Sequence, residues 1–354
     1  GINIPISPAG SFSSQFFPKM FAQELRINSN SRGPLHWLVG AAYQDGEGPQ
    51  ENALDLPAVP LLIDADNNTL TENWAVFGEL SYELFDGKLV PLVGLRTYHD
   101  KRAFEDSTGT VPTKKSKQTW RLNLSYLPTD KLTMFVSAAT GFRPGIVQSR
   151  VQVQSLEMAG VPVSVALEPE SSRNYEFGVK WRSPDRSINV GLNLYHLKYT
   201  NLQTSVTGGI DGVNGFANFG DATTKGIDLE LRWRTPVDGL NFGFVGNVND
   251  SEYDTVNPVI AAAQPLLRPG TRMTNTLDKN FRIDANYNTD LGSGFDGFGN
   301  LALSHSGDRL QANGIVARPY NLPSLTLGVR RDNWELALIG NNLTDERGPT
   351  FVGT

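Results

Sequence analysis

Residues 168–200, EPESSRNYEFGVKWRSPDRSINVGLNLYHLKYT, carry the pattern that decides the fold of this chain. Apolar side chains alternate with polar ones or glycine along residues 175–182, and the alternation resumes along residues 188–194. Between them lies Ser-Pro-Asp-Arg-Ser, which is a turn sequence. A period of two on both sides of a tight turn predicts a β-hairpin. One face of this hairpin is apolar and aromatic, whereas the other carries charges and amides along its length.

The same alternation recurs through most of the chain and predicts about fourteen strands with almost no helix. These strands are residues 21–27, 36–43, 74–84, 89–98, 120–127, 132–139, 175–182, 188–194, 227–233, 240–248, 281–287, 298–305, 325–329 and 334–341. Their apolar face carries aromatic residues near strand ends: Trp74, Tyr82, Trp120, Tyr126, Tyr175, Trp181, Trp233 and Trp334. Such rings are typical of the aromatic girdles of membrane barrels.

The predicted connections between strands alternate in length. Short turns of about 3–8 residues alternate with long segments of about 12–30 residues, whereas hairpin loops in soluble domains usually hold ~2–5 residues. The long segments are residues 44–71, 100–117, 145–167, 203–215, 250–276 and 307–321. Long loops at one end of the strands and tight turns at the other are typical of bacterial outer-membrane barrels.

Composition narrows the class of protein further. The chain has 354 residues and a formal net charge of −6, so no basic surface points to a nucleic-acid partner. It contains no cysteine, which excludes a disulfide framework and a thiolate metal site. No apolar run is long enough for a transmembrane helix, but barrel strands give only a weak hydropathy signal, so the mean hydropathy of −0.29 is compatible with them. The start, GINIPISPAG, lacks an initiator Met and a signal peptide, so we expect the chain to begin inside a longer protein.

The polar face of the strands separates a membrane barrel from a soluble one. A small soluble barrel or sandwich would have to bury this face, and burying so many charges without water is prohibitive. We therefore expect an all-β fold, an antiparallel transmembrane β-barrel with a hydrated lumen, formed by residues 1–354 as a single partial domain. The lumen-facing charges would be Glu79, Arg121, Glu176, Lys180, Asp228, Glu230, Arg232, Arg282 and Asp284. A two-sheet sandwich that packs its apolar faces together stays open as an alternative.

Several segments of the chain resemble one known family, the TonB-dependent receptors of the Gram-negative outer membrane. The resemblance covers almost the whole chain and lies in four motifs that occur in the family's order. They are AATGFRPG (residues 138–145), LEPESSRNYEFGVK (167–180), NFGDATTKGIDLE (218–230) and WELALIGNNLTDERG (334–348). Residues 21–29 and 37–43 resemble an earlier hairpin of the same barrel.

This resemblance implies a barrel of about 22 strands with a plugged lumen, of which the chain would supply about strands 8 to 21. The plug domain, its energy-coupling box and the last strand would then lie outside residues 1–354. The family also implies uptake of a scarce solute, most commonly a siderophore, and coupling to the TonB complex through the N-terminal plug region. Its partners would be outer-membrane lipid and the small-molecule ligand. A passive outer-membrane porin or adhesin and a secreted soluble β-sandwich binder are the alternatives.

Two places near the predicted long loops carry candidate binding residues. Parity along residues 132–143 places Arg143 on the lumen face where the strand enters a long loop. It would contact an anionic ligand or the plug there, or alternatively form a rim ion pair with a lumen carboxylate. Tyr98, His99 and Arg102 form an upper-strand cluster that would face the ligand, or would be ordinary lining of the vestibule.

No catalytic, metal or cofactor site is expected from the sequence. The histidines at positions 36, 99, 196 and 305 lie far apart, and none stands near a serine or aspartate at the spacing of a nucleophile system. Residues 64–68 (DADNN) have oxygen ligands at alternate positions, but threonine follows where a calcium loop needs glycine, so a solvated loop is preferred. We therefore expect a receptor rather than an enzyme.

Overall fold

The computed structural model describes residues 2–7, 10–30, 32–56, 61–64, 66–206, 214–264, 266–311 and 314–348. Its strands are β1 (Ile2–Ser7), β2 (Gly10–Phe16), β3 (Lys19–Asn28), β4 (Leu35–Leu56), β5 (Leu61–Asp64), β6 (Asn67–Tyr82), β7 (Leu89–Asp106), β8 (Gly109–Thr129), β9 (Leu132–Arg143), β10 (Glu170–Arg182), β11 (Ile188–Val206), β12 (Gly215–Arg234), β13 (Leu240–Val256), β14 (Lys279–Gly292), β15 (Phe295–Ser306), β16 (Arg309–Leu310), β17 (Val316–Ala317), β18 (Tyr320–Arg331) and β19 (Trp334–Asn341). Two helices, α1 (Arg150–Met158) and α2 (Pro258–Ala263), lie in the long connections.

Fourteen of these strands form one antiparallel meander. Ladders join β3, β4, β6, β7, β8, β9, β10, β11, β12, β13, β14, β15, β18 and β19 in that order. The short strands β2 and β5 pair with the distal part of β4. Each of the fourteen strands predicted from the sequence therefore has its counterpart, and each neighbour in sequence is a neighbour in space.

One face of the meander is apolar from strand to strand. The register aligns Val179, Leu192 and Leu229 across β10, β11 and β12, and the same alignment continues through the other ladders. Because side chains alternate with a period of two, this register places every apolar set on the same side. These residues are exposed: Phe177 is 37% exposed and Leu336 is 68% exposed. An apolar surface of this extent needs lipid or another apolar surface against it.

The opposite face is polar, and its charges pair with each other. The guanidinium of Arg121 lies 3.6 Å from Glu79, two strands away in sequence and in the sheet. Arg232 lies 3.8 Å from Glu230 and 3.9 Å from Asp284. The register places all nine charges predicted to face the lumen on this polar face. Most of these side chains remain accessible to water, which avoids the cost of burying them, and the buried Asp284 side chain has Arg232 and Asn286 beside it.

Two of the long connections, residues 44–71 and 100–117, differ from the prediction, because most of their residues are β-structure. Residues 100–117 were expected to be a loop, yet β7 continues to Asp106 and β8 begins at Gly109. Much of the predicted loop at residues 44–71 likewise belongs to β4 and β6. The physical reason is that both faces of these extensions meet water, so the apolar alternation ends although the ladder continues, with Asp100 opposite Lys115. The 64–68 segment lies partly outside the described residues.

The helices are a second difference, since almost no helix was expected. Ser149 caps α1: its hydroxyl accepts from the amide of Val151, and the Gln152 side chain accepts from the Ser149 amide. This is the capping box that Ser-x-x-Gln predicts, so a local sequence signal for α1 was present. Among the described residues, no helix has the length and hydropathy needed to cross a membrane.

The buried apolar core lies at the end of the long connections rather than in the apolar band. It includes Leu156 of α1, Val206 of β11, Phe219 of β12, Tyr253 of β13 and Ile260 of α2. These elements therefore form a packed cap, here called the loop core, on one end of the meander. Packing of this kind fixes the connections that contain α1 and α2 against the ends of β11, β12 and β13.

A pair of neighbouring substitutions tests the assignment of the two faces. Leu192→Arg places a charge in the middle of the apolar face, between Val179 and Leu229. If that face meets lipid, the change should weaken folding in the membrane by about 2–4 kcal/mol. Asn193→Arg is the matched control, because Asn193 lies on the polar face beside Asp228. We expect only Leu192→Arg to reduce the folded fraction, measured by the heat-dependent mobility of the barrel on denaturing gels. Equal losses would contradict the face assignment.

Candidate functional site

The polar face ends, on the side of the long connections, in a node built around Arg143. Arg143 is the last residue of β9 and lies opposite Glu170, the first residue of β10. Its guanidinium donates to the Glu170 carboxylate at 2.5 Å. The backbone amide of Gln203 in β11 donates to the same carboxylate at 3.2 Å, and the Gln203 carbonyl accepts from Arg143 at 3.4 Å. The node thus joins three strands, and it contains the rim ion pair that the sequence offered as one alternative.

The two charges of this node differ in accessibility. The Glu170 side chain is only 14% exposed, whereas that of Arg143 is 57% exposed. A guanidinium has five N–H donors, and the contacts to Glu170 and Gln203 both use the Nη2 group. Arg143 can therefore hold the buried carboxylate and still present donors to a molecule at the mouth of the polar face.

A second polar cluster lies on the same face of β7. The Tyr98 hydroxyl donates to one carboxylate oxygen of Asp100 at 3.2 Å, and Arg102 donates to the other at 2.8 Å. Asp100 is 4% exposed, so its charge is compensated by these two donors rather than by water. The ring of Phe142, next to Arg143 in β9, packs on the Tyr98 ring with centroids 5.0 Å apart. Tyr98 and Arg102 are therefore brought together, close to the Arg143 node.

His99 does not join this cluster. It lies on the apolar face of β7, where its ring stacks on Trp74 with centroids 4.1 Å apart. Its Nδ1 atom is 2.8 Å from the Ser116 hydroxyl. Neighbouring residues of a strand point to opposite faces, so the two-residue period separates His99 from Tyr98 and Arg102.

The connection between β9 and β10 is fastened to the tip of the β7–β8 hairpin. Ser149, the N-cap of α1, donates to Asp106 at 2.5 Å, and the Arg150 guanidinium donates to the Thr110 carbonyl. Burial raises the pKa of Asp106, but hydrogen bonds from Ser149 and Thr108 outweigh it and leave the pKa below its ordinary value. We call this contact the Asp106–Ser149 clasp. It holds the start of α1 against the tip of the β7–β8 hairpin.

Further along the polar face, a network of amides surrounds Asp228. Asn247 donates to Asp228 at 2.7 Å and to the Tyr195 hydroxyl at 2.9 Å. Asn249 donates to Asn247 in turn. Sequence reasoning named Asp228 but missed these partners, because strand pairing rather than sequence proximity brings them together. In the part of the chain that the structure describes, no group of three or more His, Asp or Glu side chains is arranged to hold a metal ion.

These features define an integral β-barrel of the outer membrane: an antiparallel meander with an apolar outer face, a wet charged inner face and long connections at one end. The chain belongs to the TonB-dependent receptor family, since the family model described as "TonB dependent receptor-like, beta-barrel" matches residues 7–343. The family comprises receptors and transporters of the Gram-negative outer membrane rather than enzymes. The apolar face is accordingly the lipid-facing outer face, and the polar face is the lumenal face.

Curated relatives match part of the chain. The pesticin receptor of Yersinia enterocolitica is 25% identical over 240 residues, which is 65% of this chain and 34% of the receptor. The ferrichrome outer membrane transporter/phage receptor of Escherichia coli is 29% identical over 150 residues, 42% of this chain and 18% of the transporter. The chain thus spans about a third or less of the length of these relatives.

Solved structures share the fold over nearly the whole chain. The ferric yersiniabactin uptake receptor FyuA of Yersinia pestis superposes with a TM-score of 0.80 at 20% identity, covering 98% of this chain and 52% of the receptor. The copper transporter OprC superposes with a TM-score of 0.71 at 11% identity, covering 95% of this chain and 52% of OprC. At these identities the likeness concerns the fold.

The Asp106–Ser149 clasp makes a prediction about pH. Because the folded pKa of Asp106 is lowered, the clasp stabilises the α1 connection above the ordinary carboxyl pKa and is lost as the pH falls through the folded value. Ser149→Ala removes a donor, so release should begin at higher pH, with exchange of residues 144–169 about 5-fold faster at neutral pH, corresponding to about 1 kcal/mol.

Hydrogen–deuterium exchange of the α1 connection across acidic to neutral pH measures this effect. Ser187→Ala, in the short turn at the opposite end of the barrel, is the matched control and should leave the profile unchanged. The same onset of release in Ser149→Ala and in the parent protein would contradict the role of the clasp.

Proposed function

We propose that the protein is a TonB-coupled receptor that takes up a scarce small solute, siderophore-like or otherwise metal-bearing, across the outer membrane. The observation that carries this proposal is the arrangement of one continuous charged lumenal face beneath a mouth lined by fixed polar clusters. Solutes of this class are named for similar structures: ferric yersiniabactin for FyuA, alcaligin for FauA and ferric citrate for FecA. The protein would bind its solute without chemical change to it.

We assign the ligand contact first to Arg143. Its contacts to Glu170 and Gln203 use only the Nη2 group and fix its position at the mouth. The other N–H donors of the exposed guanidinium are available to a ligand. Tyr98 and Arg102 would line the same vestibule, although their polar groups already satisfy Asp100. An arginine fork suits carboxylate or other planar anionic oxygen pairs, so the solute would carry such groups.

The remaining lumenal charges would hydrate the lumen and contact a plug region. Coupling to the TonB complex would pass through that region, as the sequence resemblance implies, and it stays a prediction for this protein. The solute, the plug and the energy source are matters for the whole receptor. This chain matches only about a third of the length of its curated relatives.

Uptake in a strain that lacks the native gene tests the proposal. The full-length gene should restore growth on limiting iron or copper when one siderophore or chelate of a panel is supplied, and a protonophore should abolish the uptake. Accumulation that continues at the same rate with the protonophore would identify a passive porin instead.

Variants of the node separate ligand binding from rim structure. Arg143→Gln should weaken solute binding roughly 10–30-fold, the effect of losing a charge-assisted hydrogen bond. Glu170→Gln removes the partner of Arg143 but leaves its donors, so binding should be retained. If Arg143 serves only to hold Glu170, the two variants should be equally impaired in binding measured by isothermal titration calorimetry. Lys88→Gln, in an exposed short turn, is the neutral control.

A further inference from the structure

A cleft opens on the outer face where β8 and β9 separate. The β8–β9 ladder ends at Arg121 and Ala139, and beyond it the Trp120 amide donates to the Thr140 hydroxyl instead of to a backbone carbonyl. The cleft has a volume of about 450 Å³. Its lining includes Lys117, Trp120, Thr140, Ser171, Arg173 and Lys198. We call it the outer cleft.

The depth of the outer cleft is set by the aromatic residues of the outer face. Trp120 lines the cleft, and Tyr175 and His196 form the neighbouring ring pair. Arg173 and Lys198 each lie two residues beyond that pair, or roughly 7 Å along a strand at about 3.3 Å per residue. The headgroup layer of one leaflet is about 5–8 Å thick. Both cations therefore reach the headgroup layer of the outer leaflet, on the side of the long connections.

The charges of the outer cleft are uncompensated. Arg173 and Lys198 lie directly opposite each other in the β10–β11 ladder, and like charges in that position are destabilising. Neither makes an ion pair or side-chain hydrogen bond with any residue that the structure describes. Lys117, the third cation of the lining, lies opposite Tyr98 in the β7–β8 ladder and therefore on the lumenal side of the sheet. It donates to the Ser171 hydroxyl at 3.0 Å. No lining residue of the cleft carries a carboxylate.

Two other cations of the outer face, Lys101 and Lys225, are neutralised by carboxylates on the neighbouring strand. Lys101 pairs with Glu72 at 3.0 Å, and Lys225 pairs with Asp250 at 3.1 Å. Each of these pairs lies directly across a ladder, in the arrangement that Arg173 and Lys198 share. The outer cleft thus lacks the anion that the same geometry carries elsewhere on this surface.

We infer that the outer cleft binds a phosphate group of an outer-leaflet glycolipid. The phosphate would lie between Arg173 and Lys198 and remove their repulsion. The Thr140 hydroxyl offers a hydrogen bond, and the Trp120 ring offers an apolar wall to the lipid below the headgroup. A fixed site of this kind would attach the receptor to particular lipids of the leaflet in which it lies.

Binding of a defined glycolipid to the protein purified from outer membranes tests this inference. Native mass spectrometry in a non-ionic detergent would compare diphosphoryl lipid A with its dephosphorylated form and with inorganic pyrophosphate. We expect diphosphoryl lipid A alone to bind tightly. In the Arg173→Gln/Lys198→Gln double variant its affinity should fall roughly 30-fold, as expected when two cations near a lipid surface are lost.

The double variant Lys225→Gln/Lys279→Gln is the matched control, because it removes two cations from the same outer face outside the cleft. It should keep the parent affinity, and heat-dependent gel mobility verifies that both double variants fold. Equal losses in both would show that net charge rather than the cleft binds the lipid, and would overturn the inference. Equally tight binding of pyrophosphate, or of the dephosphorylated lipid, would overturn it as well. Solute uptake is measured separately, so its outcome does not decide this site.

Discussion

The structure depends on one constraint, that a single sheet separates lipid from water. Every strand in the band must therefore give one face to each solvent, and a shift of one residue would exchange the two faces completely. Leu192 and Asn193 show the consequence: adjacent in β11, one meets Val179 and Leu229, and the other meets Asp228. The same constraint lowers the free-energy cost of the lumenal charges, because both water and oppositely charged side chains contact them, as Arg121 contacts Glu79.

Where this constraint operates, the sequence was sufficient to predict the fold. All fourteen strands of the meander and both faces of the β10–β11 hairpin follow from the period of two. Beyond the band both faces meet water, and the signal disappears although hydrogen bonding between strands continues. Residues 100–117 illustrate this: Asp100 faces Lys115 in a regular ladder that no apolar alternation marks. The capping box of α1 is present in the sequence, but the apolar side of this nine-residue helix, with Val153 and Leu156, is too short a pattern to predict a helix.

The candidate site was predictable to the same extent and for the same reason. Strand parity placed Arg143 on the lumenal face at the mouth, and it indicated a carboxylate partner without identifying Glu170. It also separates His99 from Tyr98, a distinction lost when the three residues are grouped by proximity in sequence. Contacts such as Asp106 with Ser149 join residues 43 positions apart through a packed connection. No local pattern encodes them, because the loop core is assembled from five elements, α1, β11, β12, β13 and α2.

Compensation of charge links the lumen, the mouth and the outer face. Inside the barrel Glu79 lies beside a cation and Asp228 accepts from an amide, and at the mouth the nearly buried Glu170 is held by Arg143 and a backbone amide. On the outer face Lys101 and Lys225 follow the same rule. Arg173 and Lys198 break it at the height where a membrane offers its own anions. A like-charge pair destabilises the protein only where no anion lies close to it. At this position the proposed anion is a phosphate of the leaflet rather than a carboxylate of the protein.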